Sequence, residues 1–444
     1  MKTNVILMLA LSTASMAQKP LDKYVEIGIK NSIVLQQKNI SLDKAVYSLK
    51  EANSLFFPSI NLKGDYQSGE GGRQIAIPLG DMLNPVYGTL NQLTMSNSFP
   101  QISNVETNFF PKNFYDVKLR TSMPIINADL FYNRDIQKQQ IKISEFEIEI
   151  YKKELSKNIK VAYYQYLSAA KAISVYENAI KVAQEAKRIN EKLLNNGKTV
   201  KAYVLRAESE IQNLQSKITN SKQQEKNAQL YFNFLINASN DQVIDTLGST
   251  ELGEENIKNY LVSDLAISDR AELKAINQSI SILSTVNNMN KNYWLPKLNG
   301  FIDLGSQASD WKYNDKSRYY FLGLQLDIPL FAGGNQLYKI KKSKLDIDLQ
   351  KSQLMYMQQQ LNLSANVAKN SIKSHYQSYQ SAIQQTIAAK AYLDLIDKGY
   401  KEGINTFIET LDARNQLTIS QIQELISKYD LMASIAVYER EINK

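Results

Sequence analysis

Cysteine is absent from this 444-residue chain, and histidine occurs once, at His375. No disulfide framework, thiol chemistry or acylated N-terminal cysteine is therefore available, and a histidine-based triad or multi-histidine metal site finds no support within one chain. Proline and glycine are scarce, at 9 and 17 residues, which favours long uninterrupted helices. No apolar run approaches the roughly 18 residues of a membrane-spanning helix. Gly197-Lys198-Thr199 looks like the end of a phosphate-binding loop, but Lys192 stands where its first glycine is required. Gly69-Glu70-Gly71-Gly72 follows no buried strand pattern and reads as a surface loop. The formal charge of +8 is spread along mixed stretches such as Lys152-Lys153-Glu154 and Lys187-Arg188-Ile189-Asn190-Glu191. Those are solvated faces, and they argue against nucleic acid as a partner. Nothing points to catalysis or to a cofactor.

What is present begins with an export signal. Lys2 precedes an apolar run from Val5 to Leu11 and the small-x-small site Ser15-Met16-Ala17, so residues 1–17 read as a signal peptide and the mature chain is expected to start at Gln18. An exported chain without a spanning helix is periplasmic, secreted, or a β-barrel of the outer membrane.

One segment is written twice. It runs from a helix to an aromatic residue and proline, through two alternating strands, and into a very long helix. The copies start at Phe56-Phe57-Pro58 and at Trp294-Leu295-Pro296, and their closing strands end in Met123-Pro124-Ile125-Ile126 and Asp327-Ile328-Pro329-Leu330-Phe331. In the first strand Ile60, Leu62, Gly64 and Tyr66 oppose Asn61, Lys63, Asp65 and Gln67. The same period of two recurs over Tyr115–Met123, Leu298–Gly305 and Tyr320–Ile328. A soluble sandwich would alternate in the same way. Aromatic residues near the strand ends, Phe56, Phe57 and Trp294 at one end of the copies and Phe131, Tyr132 and Phe331 past the other, instead suit a membrane interface. Four strands cannot close a barrel, and open edges are costly in lipid, so a barrel would have to be shared between chains. The connection from Gly69 to Asn113 is long and rich in glycine and proline, that from Ser306 to Arg318 is short, and both are expected at the cell exterior.

Neither proline nor glycine occurs from Asn133 to Asn196 or from Gln336 to Lys398. Each stretch of about 63 residues would form about 95 Å of helix. Shorter helices are expected over Leu21–Ser54, Tyr203–Leu235, Leu265–Asn292 and Phe407–Ile442. The organisation that follows is a signal peptide (1–17), a first repeat (18–237), an equatorial connector (238–260) and a second repeat (261–444). The long helices turn back at Asn195-Asn196-Gly197-Lys198-Thr199 and Lys401-Glu402-Gly403-Ile404-Asn405-Thr406, where each glycine is followed two residues later by a capping residue, Thr199 or Asn405. Aligning the glycines pairs Arg206 with Asp412, whereas a pairing of Tyr164-Gln165 with Tyr376-Gln377 shifts the repeat by six residues.

Read in order, Ser268-Asp269-Arg270-Ala271-Glu272-Leu273, Tyr293-Trp294-Leu295-Pro296, Pro329-Leu330-Phe331-Ala332-Gly333-Gly334 and Gly399-Tyr400-Lys401-Glu402-Gly403 leading to Leu411-Asp412-Ala413-Arg414 resemble the TolC-like outer-membrane factors. That resemblance covers about Leu21 to Ile442 and implies an α+β membrane protein. Its homotrimer would have a 12-stranded outer-membrane β-barrel, four strands per chain, continuous with a long periplasmic α-helical barrel. The implied function is a passive exit duct in the outer membrane, reaching into the periplasm. Its implied partners are a periplasmic adaptor protein and an inner-membrane transporter of the RND or ABC type. The helical tips Gly197, Lys198, Thr199, Gly403, Ile404 and Asn405 would meet the adaptor. Glu409, Asp412, Tyr400 and Asn405 would form the periplasmic gate, and Phe56, Phe57, Trp294 and Phe331 would sit at the interface with outer-membrane lipid. Two solvated acids near a helix N-terminus, and an exported coiled-coil structural or surface protein, are the alternatives.

Overall fold

The computed structural model describes residues 20–108, 110, 112–246, 257, 260 and 269–443, so the expected signal peptide and part of the expected connector lie outside the described residues. Helices α1 (Pro20–Asn31) and α2 (Ile33–Ser54) lead to strand β1 (Ser59–Gln67), then β2 (Gln74–Ile77), α3 (Leu79–Thr94), β3 (Val105–Asn108), β4 (Phe114–Ile126), α4 (Ala128–Asn195) and α5 (Lys201–Leu235). After the connector follow α6 (Ala271–Lys291), β5 (Lys297–Ser309), β6 (Arg318–Asp327), α7 (Asn335–Lys401) and α8 (Phe407–Glu441). The chain divides into a strand unit, 46–138 with 283–345, and a helical unit made of the remainder.

In the strand unit, β1, β4, β5 and β6 form one antiparallel sheet in the order β1-β4-β5-β6. Register carries the period-two pattern across all four strands: Ile60 faces Thr121, which faces Ile302, which faces Leu322. One face is therefore apolar and exposed, with Leu62, Leu304, Leu322 and Leu324 at its centre. On the other face Arg120 makes a two-point contact with Asp303 at 2.7 and 2.6 Å and lies over the Phe301 ring at 4.7 Å. Phe301 pairs with Gly323, where a Cβ would overlap its ring. Asp116 joins this network through Lys118 and through the Tyr319 hydroxyl at 2.7 Å. β1 and β6 are the sheet's edges, each with a strand on one side only.

Two expectations about the strands need correction. The closing strand of the second copy, β6, stops at Asp327 rather than reaching Phe331, whereas β4 runs to Ile126, with its pairing to β5 irregular between Pro124 and Ile126 because proline has no N–H to give the ladder. The connection after β1 is not an unstructured loop. It folds into the β2-β3 ribbon and α3, with Asn84 and Asn91 on α3 each holding a backbone N–H and C=O, of Ile102 and of Phe99.

Aromatic residues gather at both ends of the sheet. At the end where β1 begins, Phe56 and Phe131 meet edge to face at 5.0 Å with Arg134 over both rings. Phe57, Trp294 and Phe331 are exposed there. At the end where β1 stops, Trp311 lies flat on both Tyr66 and Tyr115, each at 5.5 Å.

The helical unit follows from the missing helix breakers: α4 and α7 are 68 and 67 residues long, and α5 and α8 are 35 each. Those near-equal lengths leave a net difference of one residue between the long helices, so a six-residue shift at Tyr164 and Tyr376 would have to be reversed within the same helices. α1 and α2 are not one helix, because the Ser32 hydroxyl accepts the Leu35 N–H at 3.2 Å and restarts the chain. The main core joins Tyr24, Leu35, Ile159, Tyr163, Leu167, Phe232 and Ile236. Gly28 admits the close approach of α1 to α4, since a Cβ there would overlap Ile159. Two junctions repeat the duplication: beyond α5, Asn237 donates to the Asn31 carbonyl at 3.2 Å, and the end of α8 is bound by Arg270, just before α6.

Candidate functional site: the helical turns

Both turns are closed by glycine in the left-handed region, Gly197 at φ +66° and Gly403 at φ +75°. The amide of the next residue reaches back to satisfy an orphan carbonyl, Lys198 to Leu193 and Ile404 to Gly399, each at 2.8 Å. Neither expected cap holds. The cap of α5 is Val200, which has no side-chain oxygen, and the cap of α8 is Thr406 rather than Asn405. Thr406 and Glu409 form a reciprocal capping box, a Thr-x-x-Glu pattern present in the sequence. Asn405 instead folds back, its amide on Glu409 at 3.3 Å and its backbone N–H on the Gly399 carbonyl at 3.2 Å.

Beneath the turns the two helical hairpins share a small core of Ala186, Ala207, Phe407 and Leu411, flanked by Tyr203 and Tyr400. Phe407 lies 5.4 Å from Tyr203 and 6.4 Å from Tyr400. Burial pushes the Tyr400 phenol above its ordinary pKa, so it stays neutral and packs. Two polar contacts stand further along: Arg414 donates to Asp397 at 3.0 Å, and the Asn415 amide donates to buried Glu210 at 3.2 Å. A cleft of about 510 Å³ opens beside them, lined by Val182, Leu214, Leu411, Arg414 and Asn415 among others.

The four expected gate residues thus lie close in the chain but differ in setting. Tyr400 belongs to the shared core. Glu409 is exposed yet engaged, and the Thr406 backbone N–H, with help from the Asn405 and Thr406 side chains, holds its carboxyl below the usual glutamate range. Asp412 is exposed one turn further, and Arg206 is exposed at the equivalent position of α5. Of the expected tip residues, Gly197, Lys198, Gly403 and Ile404 are exposed and Thr199 is half-buried. Sequence reading missed Val200, Leu205 and Ile408, apolar side chains at or just after the two turns that are exposed like Ile404. Their signal was an apolar residue at helix-start positions that normally carry polar ones. Among the described residues no cluster of His, Asp and Glu is suited to hold a metal ion.

The profile of the family described as "Outer membrane efflux protein" matches residues 28–238 and 262–436. The chain is similar to the alkaline protease secretion protein AprF of Pseudomonas aeruginosa, 21% identical over 182 residues, 39% of this chain and 36% of AprF. It is also similar to the outer membrane protein TolC of Vibrio cholerae, 23% identical over 133 residues, 30% of each chain. These matches span only about a third of either relative. Solved structures share the fold over much more of their length. The Campylobacter jejuni CmeC outer membrane channel superposes with a TM-score of 0.74 at 16% identity, covering 95% of this chain and 85% of that one. The Vibrio cholerae outer membrane protein VceC superposes with a TM-score of 0.74 at 13% identity, covering 95% of each. The chain belongs to the outer membrane efflux protein family, and its place is the outer membrane, extending into the periplasm.

Proposed function

We propose that three copies of this chain form a passive exit duct. The four-stranded sheet supports this: one face is apolar and exposed, the opposite face is charged and cross-linked by Arg120–Asp303, and both edges are open. Each unpaired backbone group in lipid costs several kcal/mol, so β1 of one copy must pair with β6 of the next. Three copies supply twelve strands, the apolar face meets lipid and the charged face lines water. The duct carries no energy source of its own. It works with a periplasmic adaptor that docks on the exposed apolar tips around Val200, Leu205, Ile404 and Ile408, and with an energised inner-membrane transporter of the RND or ABC type.

At the turns, Asp412 and Glu409 of three copies ring the periplasmic aperture. Six carboxylates about one axis attract cations and bind divalent ions. Tyr400 and Asn405 set the position of α8 against α7, the first through packing and the second through Glu409. Purified protein in planar bilayers tests the proposal: cation-selective conductance that falls with added divalent ions is expected, and an absence of conductance overturns it.

A further inference from the structure

We infer that the turn between β5 and β6 is a binding site for the phosphorylated glycolipid headgroup of the outer leaflet, with Trp311 and Tyr313 against the sugar and Lys312, Lys316 and Arg318 on the phosphates. This rests on the proposed function, which puts that end of the sheet at the cell exterior.

The turn is built, not loose. Asp310 and Trp311 both adopt the left-handed region, at φ +56° and +54°, which aspartate visits readily but a bulky tryptophan holds only when its surroundings impose it. Those surroundings are a chain of hydroxyls: the Tyr115 hydroxyl meets Ser306 Oγ at 3.0 Å, Ser306 Oγ donates to Ser317 Oγ at 2.9 Å, and Ser317 Oγ donates to the Asn314 carbonyl at 2.7 Å. Tyr115, Ser306 and Ser317 are all buried. The Tyr115 hydroxyl also donates to the Lys312 carbonyl at 3.2 Å, and the Asn113 amide holds the Asp310 carboxylate at 3.2 Å.

What this framework presents is specific. Trp311 lies within 11° of parallel to Tyr66 and 7° of parallel to Tyr115, and those tyrosines face each other at the end of the apolar face. The indole therefore sits where hydrocarbon gives way to headgroups, while 64% of Trp311 and 71% of Tyr313 remain exposed. Lys312 and Lys316 are exposed and join no ion pair among the described residues. Arg318 has only a loose contact with Asp315 at 3.5 Å. Three basic groups against Asp310 and Asp315 leave the turn positive, with Asp310 already occupied by Asn113. An anchor for acyl chains alone would not need the lysines, and a solvated loop would not need a flat exposed indole. Planar rings that stack on sugar and free ammonium groups that pair with phosphate belong together at a glycolipid headgroup. Among its described residues the insert after β1 offers no equivalent: Lys112 is paired with Glu70, Arg73 is already engaged, and α3 carries Asp81 and no basic residue.

The test is native mass spectrometry of the full-length protein in maltoside detergent, with lipid A, dephosphorylated lipid A and inorganic phosphate as separate arms. The parent is expected to retain lipid A roughly tenfold over its dephosphorylated form. Lys312→Gln with Lys316→Gln should abolish that preference, and inorganic phosphate should not displace the lipid. Equal retention of both lipids, an unchanged preference in the double variant, or displacement by inorganic phosphate overturns the inference. The same preparations are read for bilayer conductance: channels without a lipid preference sink this inference alone, whereas an absence of conductance sinks the proposed duct.

Discussion

Glu409 accepts the backbone N–H of Thr406 at 2.6 Å, and the Thr406 hydroxyl accepts the backbone N–H of Glu409 at 3.3 Å. One of the two acids expected at the gate is thus also the reciprocal cap of α8. Thr406→Ala should cost about 1 kcal/mol, seen as faster hydrogen exchange in the first turn of α8. The pH dependence has a fixed sign. The folded-state pKa of Glu409 is lowered by its hydrogen bonds, so its contribution is complete above the ordinary glutamate pKa and is lost as pH falls through the depressed value. Exchange in that turn should therefore accelerate only on acidification below the usual glutamate range. Glu409→Gln should remove the dependence.

Gly399 has no special backbone angle, yet a Cβ there would overlap Asn405 Oδ1. Gly403 is the reverse case, with φ +75° and open space around it. Gly403→Ala should cost about 1 kcal/mol through backbone strain alone. Gly399→Ala should cost more and displace Asn405 from Glu409, and Asn405→Ala should rescue most of the loss. Thermal unfolding of the two single variants and the double variant checks this; equal losses with no rescue would count against the close approach.

Asp412 differs from Glu409 in making no part of the capping box. In planar bilayers Asp412→Asn should weaken cation selectivity and divalent block more than Glu409→Gln does, and Glu409→Ala with Asp412→Ala should raise conductance. A double variant that conducts and blocks like the parent would falsify the acidic gate.

Arg270 is 2% exposed and binds Glu272 at 2.8 Å and Glu441 at 2.6 Å, while Arg440 shares Glu272 at 2.9 Å. Arg270→Leu leaves Glu272 and Glu441 to Arg440, which already serves Glu154, and should destabilise the helical unit by about 3 kcal/mol. Chemical unfolding followed by circular dichroism measures it, and a loss below about 1 kcal/mol would mean that the network relaxes around the gap.

The strands and long helices were legible because their signals are periodic: Ile60, Leu62 and Tyr66 alternate with polar residues, and no breaker interrupts the stretch from Asn133 to Asn196. The insert was not legible. Its strands are four residues each, and α3 contains Pro85 and starts after Pro78 without a side-chain cap, so punctuation that normally marks a loop hides a helix. The break between α1 and α2 was missed because Ser32 makes it by a hydroxyl contact alone. At the turns, the glycines were plain and the Thr-x-x-Glu pattern from Thr406 to Glu409 was readable, but Asn405, two residues after Gly403, offered a competing cap that the backbone excludes.

Completion of this open sheet by copies of itself is the step on which the proposed duct depends. Native mass spectrometry of protein extracted by detergent from an outer-membrane fraction tests it most directly. A particle of three chains that survives extraction as a unit is expected. A particle of one chain, or a protein released in soluble form without detergent, would contradict it.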